Sequence, residues 1–98
     1  MYVNIGGDFS VRTETLVGIF DLDNTTASKW TRKLLSEAQA AGQIVEATDS
    51  LPKSFLVTQE YGLRRVYLTR YNAAVLEKRF TDALSAADPI PAKEQQYE

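Results

Sequence analysis

Residues 54–69 read SFLVTQEYGLRRVYLT. Two runs rich in β-branched and aromatic residues, 54–58 and 65–69, flank a turn centred on Gly62. That composition is that of two antiparallel strands joined by a tight turn. Side chains alternate along a strand. Arg64, Val66 and Leu68 therefore point to one face, and Arg65, Tyr67 and Thr69 to the other. Val66 and Leu68 are the core-facing set, which places Arg65 and Tyr67 on the outer face. The adjacent arginines are thus split between two faces and do not act as one clamp. A cation beside an exposed aromatic suits stacking on a base or packing on a partner chain. It equally suits protection of a sheet edge.

The flanking segments complete a small α+β domain of about six short, mostly antiparallel strands and two helices. Residues 1–5 (MYVNI) have strand composition, Gly6-Gly7-Asp8 marks a turn, and 9–11 (FSV) return as a second strand. Residues 16–22 (LVGIFDL) read as a buried strand. Residues 23–42 carry the clearest helix, with Asn24 or a nearby Thr as cap and Gly42 as its stop. Ala27, Trp30, Leu34, Ala38 and Ala41 are spaced three and four apart and share one face, which Leu35 widens. Residues 43–47 (QIVEA) form a short strand, and 48–53 a loop punctuated by Pro52. Asn72 is placed to cap a second helix with Ala73, Leu76 and Phe80 on one side. Residues 1–80 form the domain, and 81–98 hold the end of that helix and a polar, acidic tail with disordered composition.

With 98 residues and no cysteine or histidine, several chemistries are excluded. Disulfide frameworks, thiolate or imidazole metal sites and Ser-His or Cys-His nucleophile pairs all need residues the chain lacks. No G-x-x-x-x-G-K or G-x-G-x-x-G is present, so Gly6-Gly7-Asp8 is not a phosphate loop. Asp21-Leu22-Asp23-Asn24 begins like a calcium loop but lacks the glycine and distal glutamate, and reads as a helix cap. The expectation is a non-enzyme without metal or cofactor. Nothing at the N-terminus resembles a signal peptide, and no apolar run is long enough to cross a bilayer, so a cytoplasmic, membrane-free protein is expected.

Net charge is −2 at pH 7, but it is unevenly spread. Asp82, Asp88, Glu94 and Glu98 against Lys93 give residues 81–98 a charge of −3, leaving +1 for residues 1–80. Between 50 and 80, Lys53, Arg64, Arg65, Arg70, Lys78 and Arg79 stand against Glu60 and Glu77, a local +4. Lys29, Arg32 and Lys33 occupy the first half of the first helix, where the dipole favours negative charge. Lys29 and Lys33 also repel each other at four residues' spacing, each effect costing on the order of a few tenths of a kcal/mol. A solvated face and a phosphate-facing patch are both consistent with this row. Five tyrosines in so short a chain favour self-association, since Tyr and Arg are enriched at interfaces and a small core gains from oligomerisation.

The order YVNIGGDFSV, LVGIFDL, ATDSLPKSFLVT and RVYLTRYNAAVLEKRF resembles the extracellular matrix regulator (RemA/RemB) family of Gram-positive bacteria. Lys53-Ser54 before the penultimate strand places the likeness nearer the RemB-like branch. The resemblance covers residues 1–80 and implies a LytTR-like fold in a cytoplasmic, homo-oligomeric, ring-forming transcriptional regulator of biofilm-matrix genes. It also implies DNA as a partner. In the RemA branch a basic loop with paired arginines precedes the penultimate strand; here the pair falls on Leu51-Pro52. A third-strand arginine of that branch falls near Thr15. The candidate phosphate contacts are Lys29, Arg32, Lys33, Lys53, Arg64 and Arg65, and the candidate oligomer contacts are Tyr67 and Tyr71. The alternative is a non-DNA-binding oligomeric interaction module that partners a related regulator.

Overall fold

The computed structural model describes residues 1–22 and 28–87. The chain runs β1 (Tyr2–Gly6), β2 (Phe9–Arg12), a 3-10 turn (Thr13–Thr15), β3 (Leu16–Asp21), α1 (Lys29–Ala40), β4 (Ile44–Glu46), β5 (Ser54–Glu60), β6 (Leu63–Thr69) and α2 (Ala73–Ala87). The expected six strands and two helices are all present. β1 and β2 form a separate antiparallel hairpin, while the other four strands make one sheet in the order β3-β5-β6-β4. β3 and β6 are both antiparallel to β5, and β4 joins β6 in parallel. β3 and β4 therefore run the same way at opposite edges, and α1 crosses the sheet between them.

The central hairpin closes in the tightest way available. Glu60 pairs with Leu63, so only Tyr61 and Gly62 lie in the loop, with φ of 54° and 77°. Two positive φ values match the right-handed twist of the flanking strands. Gly62 accepts this without strain, whereas Tyr61 is a bulky residue in the left-handed region.

Both faces of the sheet are covered. On one, Leu56 packs with Val3, Ile5 and Val11 of the hairpin and Leu76 and Phe80 of α2. On the other, Phe55, Val57 and Val66 pack with Leu34 and Ala38 of α1. This corrects one sequence expectation. The face that carries Arg65 and Tyr67 is not an outer face over its whole length, because the hairpin and α2 lie on it. Tyr67 is half-buried against the Leu56 cluster, while Arg65, nearer the hairpin tip, remains exposed. The ion pair from Arg12 to Glu60 ties the β1–β2 hairpin to the end of β5. Glu60, and after it Glu14, hold the Arg12 guanidinium in its charged form by raising its pKa.

α1 is capped by Ser28, whose hydroxyl accepts from the Thr31 amide at 3.0 Å. Asp23, Asn24, Thr25, Thr26 and Ala27, including the expected cap and the first member of the stripe, lie outside the described residues. The buried face of α1 is Thr31, Leu34 and Ala38, flanked by Leu35; Trp30 and Ala41, expected on that stripe, are exposed. Trp30 instead lies against Phe20 of β3, with ring centroids 5.3 Å apart. α2 continues to Ala87, through the first residues of the stretch read as a tail, and the rest of that stretch lies outside the described residues. Among the described residues no helix is long and apolar enough to cross a membrane.

Candidate functional site

The six candidate cations fall in separate places. Lys29, Arg32 and Lys33 are exposed on the solvent side of α1. Arg64 lies on the α1 side of the sheet, lining a hollow with Trp30 and Leu34. Arg65 lies on the opposite side, in a hollow shared with Tyr67, Arg12 and Glu60. Alternation therefore separates the two arginines as the sequence requires. Lys53 precedes β5, and Arg64 pairs with Gln59 near its other end. A strand rise of about 3.3 Å per residue puts Lys53 about 20 Å from that arginine along the sheet.

Lys53 instead shares a hollow with Arg70 and Tyr71, just past the end of β6. Arg70 and Arg79 hold their guanidiniums over the Tyr71 ring, 5.2 and 4.3 Å from its centroid. Lys53, Arg70 and Tyr71 line one open hollow of about 400 Å3, with Leu51 on its rim. Among the described residues no carboxylate pairs with any of these three cations. Tyr71, read as an oligomer contact, is half-buried and already carries a cation on its ring from within the chain.

Buried polar side chains build this corner. The Ser54 hydroxyl donates to the Tyr71 carbonyl at 2.6 Å, and the Thr69 hydroxyl accepts from the Tyr71 amide at 2.9 Å. Both hydroxyls belong to fully buried residues. The Lys53 amide donates to the Thr69 carbonyl at 2.8 Å, which fixes the loop before β5 against the end of β6. Asn72 caps α2 as expected, accepting from the Val75 amide at 2.9 Å. α2 then carries Arg79 back over Tyr71, where it also donates to the Asn4 carbonyl at 3.1 Å. Close to the same ring, Gly6 has φ 136°, and a β-carbon there would meet the Ala47 carbonyl oxygen at 2.8 Å. Only glycine lets the β1–β2 turn close on this corner.

The two guanidiniums lower the Tyr71 pKa below its ordinary value, Arg70 most and Arg79 next, while burial opposes them. A second, larger hollow of about 650 Å3 adjoins Arg70, but Asp8, Glu46 and Asp49 line it and make it acidic. An anion therefore approaches Arg70 from the Lys53 side. Among the described residues no group of carboxylates is placed to hold a metal ion.

Arg70 and Arg79 count towards the local +4 read from the sequence but are not among the candidate phosphate contacts. They sit nine residues apart and meet only because α2 folds back along the hairpin. Arg70-Tyr71 as a dipeptide is the only local trace of the cluster.

A family model described as RemA-like, extracellular matrix regulatory protein A-like, matches residues 2–80. This chain belongs to the RemA-like family. It is also 30% identical over 79 residues to extracellular matrix regulatory protein B of Bacillus subtilis (strain 168), covering 81% of this chain and 89% of that protein. The match ends at Phe80, inside α2, so the family region includes the Lys53–Arg70–Tyr71–Arg79 corner and both layers packed on the sheet.

Proposed function

We propose that this chain is a homo-oligomeric, ring-forming transcriptional regulator of the biofilm-matrix type, acting in the cytoplasm, that holds DNA by its phosphate backbone. The observation that carries this reading is the convergence of Lys53, Arg70 and Arg79 around Tyr71 with no pairing carboxylate among the described residues. Unpaired cations held by a rigid, hydrogen-bonded corner suit phosphate, which takes its contacts from Lys and Arg side chains. The loop before β5 is where the family resemblance implies a DNA-contacting arginine pair. Leu51 and Pro52 replace that pair, but the loop ends beside Arg70, which supplies charge at the same corner.

The row Lys29, Arg32 and Lys33 gives secondary support. α1 has no acidic residue in its first turn. These exposed cations oppose the helix dipole instead of complementing it, and such a row suits an anionic partner. Arg65, exposed on the other face of the sheet, contributes separately. A single copy offers few cations. Repeated around a ring, such contacts gain by effective concentration and their salt dependence adds up.

Retention of duplex DNA, measured at several salt concentrations, tests this. Affinity is expected to fall at least about tenfold between about 50 and about 200 mM salt. Replacing Lys53 and Arg70 together with alanine should flatten the salt slope by about 0.9 for each lost contact and each participating copy. Absence of binding at the lowest salt overturns the reading. It would leave the alternative, an interaction module that partners a related regulator, which the net charge of −2 and the exposed Trp30 favour.

A further inference from the structure

One helix does not cover a four-stranded sheet. α1 is about 10–12 Å across with its side chains. Three inter-strand gaps of about 4.8 Å make the sheet about 14 Å wide before its side chains are counted. The face packed on Leu56 has the hairpin and α2 over it, whereas the other has α1 alone among the described residues. Among the described residues a hollow lies on that face near each end of the helix.

Beside the first half of α1 and strand β3 lies a hollow of about 210 Å3, lined by Val17, Phe20, Trp30 and Arg64. Val17 is 63% and Trp30 56% exposed, large values for apolar side chains that adjoin each other. Lys29 and Lys33 stand on the neighbouring turns of the helix. Beside the C-terminal end of α1 and strand β4 lies a hollow of about 310 Å3, lined by Gly42, Ile44, Glu46 and Leu68. Here Ile44 and Leu68 are half-buried, Glu46 is exposed, and Asp49 follows three residues on. Among the described residues neither Arg64 nor Glu46 has an ion-pair partner. One end is apolar and basic, the other apolar and acidic.

We infer that copies of this chain meet head to tail through these two hollows, the Val17–Trp30–Arg64 end of one copy against the Ile44–Glu46–Leu68 end of the next. This rests on the homo-oligomeric part of the reading above and locates its contact. Like ends repel, because Arg64, Lys29 and Lys33 would face their own copies, and so would Glu46 and Asp49. Opposite ends attract, and the acidic end covers the exposed Val17 and Trp30 of its neighbour. Such a contact is heterologous: every copy uses both ends, and the series closes into a ring when the rotation per step divides a full turn.

Light scattering on the intact chain tests this, with Arg64→Glu and Glu46→Arg prepared separately. The wild type should be a multimer of the 11.0 kDa chain, and each variant should fall towards the mass of one chain. An equimolar mixture of the two variants should regain mass, because it restores one native and one reversed charge pair. If both variants keep the wild-type mass, or the mixture stays small, the inference is overturned. A monomeric wild type overturns the oligomeric reading itself.

A second readout needs no variant. Trp30 is the only tryptophan of the chain. Its emission should shift to the red as dilution dissociates the multimer. Emission that stays constant while the mass falls places the contact elsewhere and overturns the inference.

Discussion

At Tyr71 two guanidiniums lie over one phenol ring, and that arrangement gives it a pH dependence. Its pKa in the folded chain is below the ordinary value of 10.0 because of Arg70, then Arg79. As pH rises, the folded chain therefore loses this proton before the unfolded chain does. The stabilisation is absent below the lowered pKa, grows through the interval up to the ordinary value, and is fully present above it. Titration followed by tyrosinate absorbance should show one tyrosine ionising ahead of the rest, and Tyr71→Phe should remove that first phase. Persistence of the phase in Tyr71→Phe would assign it to another residue. None of this is legible from Tyr71 and its sequence neighbours alone. Arg70 is adjacent, but Arg79 reaches the ring only through the fold.

Among the elements, α1 has the most to do. It covers one face of the sheet, presents the Lys29–Arg32–Lys33 row, and borders both hollows of that face. Ser28 sets where it starts. Ser28→Ala should cost about 1 kcal/mol in chemical denaturation, the usual loss for a serine N-cap. An unchanged midpoint would mean that the cap hydrogen bond contributes nothing. Helical periodicity is plain in the sequence, but the centre of the buried face is not. Spacing alone lets Trp30, Leu34, Ala38 and Ala41 share a stripe. The sheet beneath selects Thr31, Leu34 and Ala38 instead. Thr31 can be fully buried because its hydroxyl meets that of Ser28 at 3.3 Å. Trp30 instead rests on Phe20 of the edge strand β3.

Across the whole molecule, two thin layers share one sheet, and neither core is large. Phe55 is fully buried and stacks on Phe20, with centroids 5.1 Å apart. Phe55→Ala should cost about 3–5 kcal/mol. Against a total stability of about 5–15 kcal/mol for a domain, that loss should leave a substantial unfolded fraction, visible as a much lower melting temperature. A wild-type melt would show that Phe55 is not central to the core. The strands, both helices, the tight turn at Gly62 and the opposite facing of Arg64 and Arg65 follow from local pattern, because alternation, periodicity and turn chemistry act over a few residues. The order of motifs along residues 2–80 likewise carries the family. Three things required the chain to fold. The hairpin and α2 cover the Tyr67 face, β4 joins β6 in parallel across the sheet, and Arg79 comes back over the ring of Tyr71, the neighbour of Arg70 in sequence. Each depends on contacts between segments far apart in sequence. Such contacts are set by which surfaces can bury one another, and no short stretch of residues encodes that choice.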